Sequence, residues 1–229
     1  MLIIVLLLLT GYVDFLHASV DCEAVALSDC LPSEFFPVPF PETEAEVDFV
    51  CLKLKVYVDC IRNYLEECGN EDASFEEQLK ARYEKIDEVL NDVCEKESKL
   101  HIDFIGNIKC LKSSILSHND SCYYKTEAVL KIYKQRFPEQ TEHINKNGIY
   151  WDEYFCLFEA YDISCLAADA ANRCGLQAKN IILEIVKRLN YLEYSCSEEA
   201  RVELMNLIET LNFEVQDKIQ LKEIFNIFN

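Results

Sequence analysis

A chain of 229 residues with 50% hydrophobic side chains holds enough apolar material for a real core, so its twelve cysteines reinforce a packed interior and need not replace one. Lys and Arg number 22 against 41 Asp and Glu, and the formal net charge of -19 repels nucleic acid and anionic lipid, which removes both from the expected partners. Five glycines in all, little strand-like alternation and apolar residues recurring at three and four predict an all-α protein, a disulfide-stapled helical bundle.

The apolar run from Met1 to Leu9 is too short to span a bilayer and reads as the core of a secretory signal peptide, residues 1–18, with cleavage after Ala18. No later stretch is long and apolar enough for a membrane span, and Phe225 to Asn229 carries no retention or lipid-anchor signal. The expected location is secreted and extracellular, where cysteines oxidise. Asp21 to Cys30 can form a short helix. Residues 32–41 hold four of the five prolines, so they must be extended, with Phe35, Phe36 and Phe40 pinning them against the body.

Thr43-Glu-Ala-Glu46 is a capping box that opens the first long helix, along which Val50, Leu54, Tyr57, Ile61, Tyr64 and Cys68 lay one apolar stripe. Gly69 and Asn70 stop it. Ser74-Phe-Glu-Glu77 is a second capping box, and Phe75, Leu79, Tyr83, Ile86, Leu90 and Val93 form the facing stripe of an antiparallel partner helix.

A stretch of this hairpin recurs. Phe49-Val50-Cys51-Leu52, Cys60 and Cys68-Gly69 are matched at nearly the same spacing by Tyr154-Phe155-Cys156-Leu157, Cys165 and Cys174-Gly175. The chain therefore divides into two related six-cysteine helical repeats, residues 19–98, with a proline-rich segment at 31–42, and residues 99–229. Counting outward from the turn near Glu71 brings Cys51 to Cys94, and the same count about Leu176 brings Cys156 to Cys196. Cys22 and Cys30 are eight positions apart, as are Cys60 and Cys68, which favours pairing Cys22 with Cys68 and Cys30 with Cys60. The matching spacings of Cys110, Cys122, Cys165 and Cys174 differ, so their connectivity stays open.

Lys99 to Leu116 and Tyr123 to Phe137 read as helices separated by a break at Ser117-His-Asn-Asp120. Asn119-Asp-Ser121, a glycosylation sequon, falls in that break. Residues 140–148 form a polar linker, Ser197 opens a helix through Leu211, and Val215 to Phe228 is a last amphipathic helix that caps the second half with Ile219, Ile224, Phe225 and Phe228.

Catalytic chemistry finds little support. His101, His118 and His143 stand in no nucleophile motif and read as surface residues. No Cys-x-x-Cys occurs, and zinc would need thiols that a secreted chain oxidises. The acidic clusters at 42–48 and around Glu66, Glu67, Glu71 and Asp72 lack the glycine and alternating ligands of a calcium loop, and read as solvated helix starts. No cofactor is expected. Trp151, Tyr154, Phe158 and Tyr161 crowd one helix start and are candidates to line a ligand pocket, although aromatics at helical spacing more often form core.

The run from Phe49 to Cys68, with its second copy, resembles a pattern of secreted, cysteine-rich helical proteins of arthropods and nematodes, among them haemolymph glycoproteins and venom or silk-gland components. The resemblance implies an extracellular helical protein and brings no catalytic residues. The expected function is a secreted non-enzymatic binding or carrier protein, its partner a hydrophobic small molecule or an extracellular protein. An extracellular structural component is the alternative. An enzyme would require His101 or His143 to meet carboxylates in a cleft.

Overall fold

The computed structural model describes residues 30, 40–68, 73–138, 152–194 and 196–228. Among these no strand occurs, and eight α-helices with one 3-10 turn account for the fold, so the protein is all-α. The helices are α1 (Glu44–Cys68), α2 (Ala73–Cys94), α3 (Lys99–Ser121), α4 (Tyr123–Arg136), α5 (Asp152–Cys174), α6 (Leu176–Arg188), α7 (Glu198–Leu207) and α8 (Val215–Ile227), with the 3-10 turn at Tyr191–Tyr194. The expected signal peptide, the 21–29 helix, most of the proline-rich segment and the 140–148 linker lie outside the described residues.

Two compact units divide between Lys112 and Ser113. The sequence suggests Lys99 as the boundary, because a helix begins there. The first part of α3 nevertheless belongs to the first unit: Phe104 packs on Phe40 with ring centroids 6.3 Å apart, and Lys112 pairs with Glu42 at 2.6 Å.

In the first unit, α1 starts where the capping box places it. The Glu46 amide donates to Thr43 Oγ1 at 3.2 Å, and the Glu46 carboxylate accepts from the amides of Thr43 and Glu42 at 3.1 and 2.6 Å. Val47, Leu54, Tyr57, Val58 and Ile61 are buried on α1, and Ile86, Val89 and Leu90 on α2, which packs against it. Disulfides join Cys51 to Cys94 and Cys30 to Cys60, pairs that the helical spacing also selects; Cys22 lies outside the described residues.

The corner between α2 and α3 carries a correction. His101 is not on the surface. It is 3% exposed, and its Nδ1 donates to the Val93 carbonyl at 2.7 Å, while its Nε2 stands 3.7 Å from Glu44. Ser98 accepts from the His101 amide at 2.9 Å and donates to the Asp92 carbonyl. The carbonyls of Asp92 and Val93 lie in the last turn of α2, where no intrahelical partner follows, so both side chains serve as its C-terminal caps. The imidazole is drawn inward by an orphan acceptor.

In the second unit α5 is the central helix. From Cys156 to Ala167 every residue except Phe158 is buried, and α4, α6, α7 and α8 pack around it. Disulfides join Cys122 to Cys165 and Cys156 to Cys196, and Cys174 is oxidised as well. Gly175, at φ +87°, turns the chain between α5 and α6 in a conformation that side chains rarely adopt. Ser197 caps α7, accepting from the Ala200 amide at 3.1 Å, and α8 buries Leu221, Ile224 and Phe225.

Two expected boundaries move. The helix expected to break at Ser117 to Asp120 continues to Ser121, which puts the Asn119 sequon in the last turn of α3 instead of a loop. Poor helix formers there cost only a few tenths of a kcal/mol each, roughly, which a helix already anchored by buried Leu111, Ser114 and Ile115 absorbs. The helix expected to reach Leu211 ends at Leu207, and the turn that follows folds Ile208, Leu211 and Phe213 into the core.

Candidate functional site

The C-terminal half of α5 is thin. Ala167, Ala168, Ala170 and Ala171 follow one another with only Asp169 between, and alanine costs a helix nothing while leaving its surface low. Where α6 and α8 pass over this stretch, a groove of about 500 Å³ remains. Ser164, Ala167, Ala168 and Ala171 form its floor. Gln216, Ile219, Gln220 and Glu223 of α8 form one wall, and Asn172 and Lys179 stand opposite.

Lys179 reaches across to Glu223, its Nζ 2.6 and 2.7 Å from the two carboxylate oxygens, and so ties α6 to α8 at the groove. The Lys179 side chain is one-fifth exposed and that of Glu223 42%, so the bridge is partly screened by water and its worth is modest. Nearer the start of α8, Tyr161 donates to Asp217 at 2.9 Å; burial, and then that hydrogen bond, hold its phenol well above the usual tyrosine range. These two ties fix the wall against the floor. Three amides can donate and accept at the rim, and the floor offers methyl groups. The one hydroxyl among the floor residues, on Ser164, donates to the Tyr161 carbonyl at 2.8 Å, so it is not held as an activated nucleophile.

The expected aromatic lining lies elsewhere. Trp151 is outside the described residues. Tyr154 is half-buried against Tyr133, ring centroids 6.5 Å apart, with Lys134 Nζ 4.9 Å from its ring; Phe158 is half-buried, and Tyr161 is core. None of them lines the groove, which opens one to three turns further along α5. The groove residues carry a sequence signal of their own in the alanine run, but that signal reads equally as ordinary helix.

A second polar cluster sits nearer the start of the same helix. Glu159 is 6% exposed and accepts from the Tyr191 hydroxyl at 2.9 Å, and Asp162 is buried a turn away. Burial pushes the Glu159 carboxyl up to about 7; the Tyr191 hydrogen bond opposes this, and Asp162 adds to it. It does not line the groove. Among the described residues no group of three or more His, Cys, Asp or Glu is placed to hold a metal ion, no cysteine is free, and no helix is long and apolar enough to cross a membrane.

No protein-family model, no curated protein and no solved structure matches this chain.

Proposed function

We propose that the protein is a secreted, non-enzymatic binding or carrier module that holds a small amphipathic ligand in the groove between α5, α6 and α8. The observation that carries this reading is the groove itself, of about 500 Å³, within the size range of small-ligand sites, with a methyl floor and amide rim on a framework locked by Lys179 and Tyr161. Oxidised cysteines fit an extracellular route. Catalysis has less behind it: His101 caps a helix instead of facing a cleft.

The test uses the oxidised chain and an anilinonaphthalene sulfonate dye as probe. Wild-type protein binds one equivalent saturably. Ala168→Leu, which raises the floor, weakens binding by about tenfold or more, equivalent to roughly 1.4 kcal/mol, with helix content unchanged. Equal binding by the two proteins rejects the groove as the site.

A further inference from the structure

Two charged side chains line the groove of the second unit, and they cancel. Lys179 Nζ lies 2.6 and 2.7 Å from the two carboxylate oxygens of Glu223, so the one positive and the one negative group of the lining already hold each other. Neighbouring ionic groups are engaged too. Asp169, between the floor alanines in sequence, pairs with Arg173 at 2.8 Å; Asp217 accepts from Tyr161 at 2.9 Å; and Lys222 pairs with Glu209. The rest of the lining is uncharged, with methyl groups on the floor and the amides of Asn172, Gln216 and Gln220 at the rim.

That balance decides which head group the groove accepts. An anionic head must draw Lys179 away from Glu223, and the released carboxylate then stands beside it, like charge against like charge. The net charge of -19 opposes its approach as well. A cationic head can pair with Glu223, but it strands the Lys179 ammonium, the less exposed partner at 20% against 42%. An uncharged head leaves the pair intact. It exchanges hydrogen bonds with the rim amides, which donate and accept alike, while its apolar body lies on the alanines. The floor from Ser164 to Ala171 spans about 10 Å of helix, which sets the length of that body.

On the reading that the groove is the ligand site, we infer that it selects an uncharged amphiphile with an amide or hydroxyl head, and that the Lys179–Glu223 pair disfavours charged analogues. The pair is partly open to water, so the selection is graded, about tenfold. An anionic dye still fills the groove, less tightly than its uncharged parent.

The experiment titrates the oxidised protein with N-phenyl-1-naphthylamine, the uncharged parent of the sulfonate dye, and displaces it with decanamide, decanoate or decylammonium at fixed ionic strength and neutral pH. In wild type, decanamide should compete about tenfold better than either ion. Uncharged compounds enter any apolar site more readily, so the variants decide. Glu223→Gln frees the Lys179 ammonium and makes decanoate the best competitor; Lys179→Gln, the second variant should the first fail to fold, makes decylammonium the best. An order unchanged from wild type in the folded variant, or an ion that competes best in wild type, overturns charge selection. Ala168→Leu weakens all three competitors alike if the groove holds them. If it weakens none, the groove itself is rejected, and charge selection with it; weakened binding with an unchanged order in Glu223→Gln rejects charge selection alone.

Discussion

At the scale of single residues, Glu159 makes the sharpest demand on the surroundings. A carboxyl held near 7 is neutral through mild acid, where it can stay buried beside Tyr191 and Asp162 without an uncompensated charge. In the unfolded chain the same group ionises near 4.5. Between these values the folded protein binds more protons than the unfolded one, so stability falls as pH rises. The contribution is fully present below about 4.5 and is lost once pH has passed about 7, a change of roughly 3 kcal/mol. Glu159→Gln should therefore match wild type in urea melts near pH 4 and exceed it at pH 8. An identical pH slope in both proteins would remove Glu159 from this role.

Helix ends show how far local sequence reaches, and where packing takes over. The Thr43 to Glu46 box is legible because all its partners lie within four residues, and the structure forms each bond of it. The cap on α2 is not legible, because His101 answers a carbonyl eight residues back across a corner that only the fold creates. His101→Ala should cost about 1–3 kcal/mol in chemical denaturation, through the lost packing of a buried ring and a part-buried carbonyl left without its donor, and leave dye binding at the groove unchanged. The missed continuation of α3 has a related cause. A run of polar, turn-favouring residues reads as a break when taken alone, whereas buried Leu111 and Ile115 hold the preceding turns in register.

For the whole molecule, covalent links and side-chain volume act on different features. Helical class follows from periodicity, and the Cys51–Cys94 and Cys30–Cys60 bridges follow from regular rise and rotation. The groove is harder to read because it consists of volume that alanines do not fill, and its existence depends on where α8 comes to lie. Replacing Cys51 and Cys94 together by alanine frees a loop of 43 residues and should lower stability by about 4 kcal/mol in the chain-entropy account, measured by denaturant titration under oxidising conditions. A loss below about 1 kcal/mol would mean that packing between α1 and α2 suffices without the bridge.

The capped corner between α2 and α3 has one more consequence, for digestion. Lys96 and Lys99 stand exposed there, the kind of side chain that trypsin-like enzymes select. Such enzymes cut only backbone that has opened into an extended strand, and here the carbonyls on one side are held by Ser98 and His101. Two basic residues in plain view are thus presented on a main chain with no slack to offer a protease.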